Sequence, residues 1–153
     1  MKRFFLVFTL TLLAFCGYSQ SAQKLTEVLS SEEVTYGNAS WFIALQSGLI
    51  EDTQSEADAL NALSENGYFK SGTPSADDKI PLQDFSLLCT KTYGIKGGLL
   101  YRITKAPRYA VRELKAMRIV PNEADSHSSI NGRQMLNILS ACEYEKTETS
   151  NAE

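Results

Sequence analysis

Apolar residues recur with the spacing of an α-helix along almost the whole chain. The clearest examples are two stretches, 82–93 and 132–143, whose apolar or small residues follow the same intervals: Phe85, Leu88, Cys89 and Thr92 in the first, and Met135, Ile138, Leu139 and Cys142 in the second. Residues three and four apart lie on one face of a helix, so each set forms an apolar side. Only residues 99–103 could instead form a short strand. The sequence therefore predicts an all-α fold.

The same spacing occurs a third time, in Ala39, Phe42 and Ile43. Each of the three helices follows a polar loop that ends in one β-branched residue: Val34, Ile80 and Ile130. Two of these loops follow another short helical stretch, 59–63 leading to Tyr68 and Phe69, and 110–114 leading to Ile119 and Val120. We therefore predict tandem helix–loop–helix repeats over residues 24–144, packed as a small helical bundle, with a reduced first unit. A polar, disordered tail is predicted for 145–153.

The N-terminus has the layout of a bacterial secretion signal. Lys2 and Arg3 precede an apolar stretch, 4–15, which is too short to span a bilayer, and we predict a signal peptide over 1–19. Small residues at Gly17 and Ser19 favour simple cleavage, whereas 13–16 resembles a lipoprotein box that would place a lipid anchor on Cys16. The sequence thus predicts an exported protein, periplasmic or associated with the outer membrane.

The charge balance limits the partners. The chain has 15 basic and 18 acidic residues, and removal of the signal leaves 13 and 18, a net charge of −5. This balance argues against a nucleic-acid partner, because phosphate backbones are bound by clustered Lys and Arg. It gives no support for an anionic membrane surface either, and no later stretch predicts a transmembrane span.

Two cysteines remain after the signal, Cys89 and Cys142. They could pair in an oxidising compartment. Their positions on the apolar helix faces favour buried free thiols, which behave as small hydrophobic side chains.

No residue pattern predicts catalysis, a metal or a cofactor. His127 is the single histidine and has no second ligand at metal-binding spacing, and no Gly-x-Ser-x-Gly segment presents a nucleophile. Asp77 and Asp78 lack the alternating oxygen ligands of a calcium loop. Gly97 and Gly98 lack the Lys that completes a phosphate loop. We therefore predict that the protein is not an enzyme.

The helix–loop–helix units over 24–144 resemble the repeats of the S-layer homology (SLH) family, and the segments 34–38, 80–84 and 130–134 align with the starts of the second helices of its repeats. The resemblance implies a helical bundle and a cell-wall polysaccharide as partner, held where the family has Ile-Thr-Arg-Ala-Glu at the helix start. Here the Arg position is occupied by Tyr36, Leu82 and Gly132, and Arg133 follows one residue later. A guanidinium at a helix start adds donors to free backbone N–H groups, which suits an acidic sugar.

Residues 97–101 and 107–114 (Gly-Gly-Leu-Leu-Tyr and Pro-Arg-Tyr-Ala-Val-Arg-Glu-Leu) look like the signature of a smaller group of uncharacterised exported proteins of diderm bacteria, which implies no activity. Pro107 suits the first turn of a helix and puts Arg108 at its exposed start. Arg108 and Arg112 are four residues apart and repel each other, so they need a partner, either a ligand or an internal acid such as Glu113.

We therefore predict four ligand-binding residues, Tyr36, Arg108, Tyr109 and Arg133, in an envelope protein that binds a peptidoglycan-linked glycan. The alternative is a structural module of the periplasm or outer membrane that docks another envelope protein and has no sugar site.

Overall fold

The computed structural model describes residues 19–69 and 72–151. Within these ranges the chain forms seven α-helices and no β-sheet, so the predicted all-α fold is confirmed. The helices are α1 (Ser19–Ser30), α2 (Tyr36–Gln46), α3 (Glu56–Glu65), α4 (Leu82–Thr92), α5 (Leu99–Thr104), α6 (Pro107–Ala116) and α7 (Gly132–Asn151). The predicted signal peptide and Cys16 lie outside the described residues, apart from Ser19.

The helix starts follow from local sequence. The side chain of Thr35 accepts a hydrogen bond from the Asn38 backbone N–H and caps α2. Ser55 and Asp58 form a capping box at α3. Pro107 is the first residue of α6, where its missing N–H is not needed.

The three β-branched residues that precede the main helices meet in the core. Val34, Ile80 and Ile130 are 0%, 0% and 2% exposed. The backbone N–H of Val34 donates to the carbonyl of Ile130 at 2.8 Å, and that of Ile80 donates to the carbonyl of Val34 at 3.0 Å. The loops therefore join at the centre of the bundle and position the starts of α2, α4 and α7 next to one another.

Two of these starts are held by equivalent backbone bonds. The first two residues of α2 donate to Asp78 and Ala76, each at 2.8 Å, and the first two of α4 donate to Ser128 and Ser126, each at 2.9 Å. The start of α7 differs, because Gly132 donates to Ser31. Tandem repetition of the whole unit stays a prediction.

The helices pack in pairs: α2 on α3, α4 on α6, and α1 on α7, while α4 also contacts α2 and α7. The last pair joins opposite ends of the chain. A Cβ at Gly132 would overlap the carbonyl oxygen of Val28, so only glycine allows α7 to approach α1 this closely.

The possible strand at 99–103 is helix α5. Helix α7 continues to Asn151, into the segment for which a tail is predicted, since 143–148 contains no Gly or Pro to end the helix.

Cys89 and Cys142 are free and buried. Burial, followed by a hydrogen bond with Cys142, raises the pKa of the Cys89 thiol. The two thiols are thus neighbours in the core.

Candidate functional site

Tyr36, the first residue of α2, is fixed by contacts with two other segments. Its ring is half-buried and makes an edge contact with Phe69, with centroids 6.2 Å apart. Its hydroxyl donates a hydrogen bond to Oδ2 of Asp84 on α4. Burial, and then this carboxylate, raise the pKa of the Tyr36 phenol well above its ordinary value. The phenol therefore stays protonated and holds Asp84 in place.

Tyr36 and Asp84 belong to an open groove of about 430 Å³, which we call the aromatic groove. Its walls combine three half-buried aromatic rings with one carboxylate and several apolar residues: Tyr36, Tyr68, Phe69, Asp84, Leu87, Leu88 and Pro107. This volume is within the range of small-molecule sites, which are mostly apolar with a few polar groups that orient the ligand. Aromatic faces beside an acceptor carboxylate can hold a ligand that has both an apolar face and hydroxyl donors.

A second groove of about 260 Å³ lies at the start of α4, and we call it the aliphatic groove. Its residues occupy corresponding places in the neighbouring unit: Leu82, Ile119, Val120, Ile130, Gln134 and Ile138. Leu82 corresponds to Tyr36, the Ile119–Val120 pair to the Tyr68–Phe69 pair, and Gln134 to Asp84. Four of these six residues are buried, whereas Ile119 is half-buried and Gln134 is exposed.

Arg108 and Tyr109 lie at the start of α6, directly after Pro107, which lines the aromatic groove. Arg108 and Arg112 are both exposed, and their guanidinium carbons lie 5.4 Å and 5.9 Å from the centroid of the Tyr109 ring. The ring is the shared partner that the like-charge pair needs, through cation–π attraction.

Glu113 has a different role. A Cβ at Gly97 would lie 2.5 Å from Cγ of Glu113, so the side chain packs directly on the glycine backbone. Gly97 is therefore required for this close contact, which fixes the segment leading to α5.

Arg133 is exposed at the second position of α7, next to the end of α1. Among the described residues that line the two grooves, Arg133 does not occur. The structure thus brings Tyr36 close to Pro107, and so to the start of the segment with Arg108 and Tyr109, while Arg133 stands apart.

The sequence prediction did not include Tyr68, Phe69 and Asp84. A signal was present, because Tyr68 and Phe69 occupy the place where the next unit has Ile119 and Val120. Aromatic residues thus replace aliphatic ones at corresponding positions of two neighbouring units, and this difference could have pointed to the groove.

The other candidate groups lie in loops. His127 is exposed, and its backbone N–H donates to Oδ1 of Asp125 at 3.0 Å. In the described ranges no group of three or more His, Cys, Asp or Glu residues could hold a metal ion. None of the helices within those ranges is long and apolar enough to cross a membrane.

Comparison of the chain with protein-family models, curated proteins and solved structures gives no match.

Proposed function

We propose that this is an exported, non-catalytic protein of the cell envelope that binds a peptidoglycan-linked glycan in the aromatic groove. The observation that carries the proposal is the pairing of three half-buried aromatic rings with a carboxylate that Tyr36 holds in place. A sugar presents an apolar face of C–H groups and a rim of hydroxyls. The rings can stack on the face, and Asp84 can accept from the hydroxyls.

The edge of the groove suits an acidic wall glycan. Arg108 and Arg112 are exposed and both face the ring of Tyr109 in the N-terminal half of α6, where the helix dipole also favours anions. Charge-assisted hydrogen bonds from guanidinium groups to carboxylates or phosphates are stronger than neutral ones. We assign the neutral part of the glycan to the groove and its acidic substituents to this edge. Arg133 is a second cationic helix start available to a long polymer.

The test is co-sedimentation with purified peptidoglycan sacculi. Wild-type protein should sediment with them, and a Tyr68→Ala/Phe69→Ala double variant should bind at least tenfold more weakly, because central aromatic anchors dominate binding energy. The matched control is Ile119→Ala, a partly buried residue at the corresponding place in the aliphatic groove, which should bind like wild type.

The arginines are tested in the same assay. Arg108→Ala/Arg133→Ala should weaken binding by at least about a hundredfold, since each of two charge-assisted bonds contributes about 1.5–3 kcal/mol and about 1.4 kcal/mol is a factor of ten. Added salt should weaken wild-type binding as well. If wild type does not sediment, or if all variants bind equally, the glycan proposal fails and a module that docks another envelope protein becomes the better account.

Export is tested separately by mass spectrometry of the protein recovered from cells. The proposal expects a soluble mature chain that begins near Gln20. A species that begins at Cys16 and carries acyl mass would instead identify a lipoprotein.

A further inference from the structure

The basic residues are concentrated in one region. Residues 91–118 hold eight of the 15 Lys and Arg residues but only one of the 18 acidic residues, Glu113. The Glu113 side chain packs on the backbone of Gly97 and Gly98. Residues 91–118 are therefore strongly cationic although the net charge of the whole chain is negative. At physiological ionic strength, charges more than about 8 Å away are largely screened, so the local charge decides what binds there.

Four of these cations line one shallow cavity of about 640 Å³, which we call the basic depression: Lys91, Lys96, Arg102 and Lys105. The other described residues that line it are Thr90, Gly94, Ile95 and Gly97, and none of the described lining residues carries a carboxylate. Lys105 is held with its ammonium group 4.4 Å from the centroid of the Tyr101 ring. Lys91 donates to the carbonyls of Gly67 and Tyr68 at 2.9 Å and 2.8 Å. Two of the four cations, Lys91 and Lys105, are thus held by contacts within the chain.

Helix α5 presents a cluster of aliphatic side chains beside the basic depression. Leu99, Leu100 and Ile103 are 71%, 52% and 71% exposed. Tyr101 on the same helix is fully buried, and its hydroxyl donates to Oγ1 of Thr90 at 2.7 Å. One buried anchor therefore fixes a helix whose other apolar residues face solvent. Single exposed apolar residues are common, but three on a six-residue helix form a patch that needs a partner.

We propose that α5 and the basic depression together form a docking surface for an anionic phospholipid bilayer. The lipid phosphates contact Arg102 and Lys105, the other two lysines add to the positive potential, and Leu99, Leu100 and Ile103 enter the boundary between headgroups and acyl chains. Aliphatic residues next to cations are the pattern of peripheral membrane contacts. This inference is independent of the proposed glycan site.

A bilayer fits the observations better than a protein partner does. Leu99, Arg102 and Ile103 lie within one turn of helix, and a bilayer surface offers phosphate and hydrocarbon within a similarly short distance. Protein hot spots are instead enriched in Trp, Tyr and Arg that fill pockets. The aliphatic side chains on α5 provide no aromatic ring for stacking on bases, which disfavours single-stranded nucleic acid.

The experiment is co-sedimentation of the purified chain with two kinds of vesicle, one of phosphatidylcholine alone and one of an equal mixture with phosphatidylglycerol. We expect binding to the anionic vesicles, little binding to the neutral ones, and loss of binding as salt rises. Excess inorganic phosphate at constant ionic strength should leave binding largely intact, because free phosphate provides no hydrocarbon for α5.

Two double variants separate the components of the surface. Arg102→Gln/Lys105→Gln should reduce affinity for anionic vesicles by roughly ten- to thirtyfold, the effect of two cations near a charged surface. Leu99→Ser/Ile103→Ser should reduce it by at least tenfold even at low salt, because inserted apolar side chains contribute independently of charge. All four side chains are exposed, so helicity by circular dichroism should be unchanged.

Matched controls carry the same substitutions elsewhere. Lys79→Gln/Lys146→Gln removes two exposed cations, and Leu25→Ser/Leu29→Ser removes two aliphatic residues that are 40% and 43% exposed. Both controls should bind like wild type. Failure of wild type to bind anionic vesicles, equal binding to neutral vesicles, displacement by free phosphate, or wild-type binding by both patch variants would each overturn the proposal. The aromatic-groove variant Tyr68→Ala/Phe69→Ala should still bind vesicles, which would show that glycan binding and membrane binding use separate surfaces.

Discussion

The aromatic and aliphatic grooves have corresponding backbone frames and different side chains. At each groove, the first two residues of the helix donate to carbonyls of the neighbouring loop at 2.8–2.9 Å. In the aliphatic groove, Leu82, Val120 and Ile138 are 4%, 1% and 6% exposed and belong to the core. In the aromatic groove, Tyr36, Tyr68 and Phe69 remain half-buried. The two grooves therefore share a backbone arrangement and differ in chemistry, because one presents aromatic rings and a carboxylate where the other presents aliphatic side chains and Gln134.

The largest expected effect concerns one buried residue at the base of each groove. Replacing either residue should lower the free energy of unfolding by a similar amount. Leu88 lines the aromatic groove and Ile138 the aliphatic groove, and they are 1% and 6% exposed. Leu88→Ala and Ile138→Ala should each lower the free energy of unfolding by about 2–5 kcal/mol, as large-to-small core changes do. Urea denaturation measures this. A loss below about 0.5 kcal/mol is typical of surface sites and would contradict the placement of both residues in the core.

The side chains that line the walls of the two grooves should differ in their effect on ligand binding. Val120→Ala removes two buried methyl groups from the aliphatic groove and should lower the free energy of unfolding by about 2 kcal/mol. It should leave sacculus binding unchanged, because that wall is part of the core. If Val120→Ala weakened sacculus binding in protein that is still folded, the two grooves would share a ligand and the distinction would be lost.

The polar contact at the aromatic groove should have a smaller effect. Tyr36→Phe keeps the ring and removes the hydroxyl that donates to Asp84. The free energy of unfolding should fall by about 0.5–1.5 kcal/mol, the net contribution of one hydrogen bond. Tyr144→Phe is the matched control, because Tyr144 is 64% exposed, and it should have no measurable effect on thermal or urea unfolding.

The smallest effect is a pH dependence of the free energy of unfolding. Tyr36 contributes to it in the aromatic groove, whereas Leu82, at the corresponding place in the aliphatic groove, does not titrate. The pKa of Tyr36 is raised by burial and by Asp84, and burial also raises the pKa values of Tyr93 and Tyr101. The unfolded chain therefore loses these protons at a lower pH than the folded protein does. Stability is fully present below the ordinary tyrosine pKa of about 10 and should fall as pH rises above it. Urea midpoints between about pH 8 and pH 11 measure this fall, and Tyr36→Phe should reduce its slope; equal slopes would exclude a contribution from Tyr36.

The sequence predicted the helices well because their apolar spacing is a local property. Val34, Ile80 and Ile130 were identified from their position before three helices, and all three are in the core. Helix α5 was missed, since Leu99, Leu100 and Ile103 do not pack against the core and so give no one-sided pattern.

The candidate site was less accessible to sequence reasoning. Tyr36 was selected, but its contacts with Phe69 and Asp84 depend on how α2 and α4 pack. The net charge of the whole chain gives no sign of the basic depression, although residues 91–118 hold eight of the 15 basic residues, and the fold brings four of these to one cavity. The distribution of charge over the surface depends on how the helices pack, whereas the net charge depends on composition alone.

The contact between α1 and α7 determines when the fold can be completed. Val28 and Gly132 are more than a hundred residues apart in sequence. Contacts of such separation carry the greatest loop-closure entropy and slow folding. Since a chain is synthesised from its N-terminus, α1 emerges long before its partner exists. Until α7 has been made, α1 is held by contacts with elements that are synthesised earlier, among them the Lys24–Glu56 ion pair and the Trp41 ring beneath Lys24, so its packing is the last to be completed.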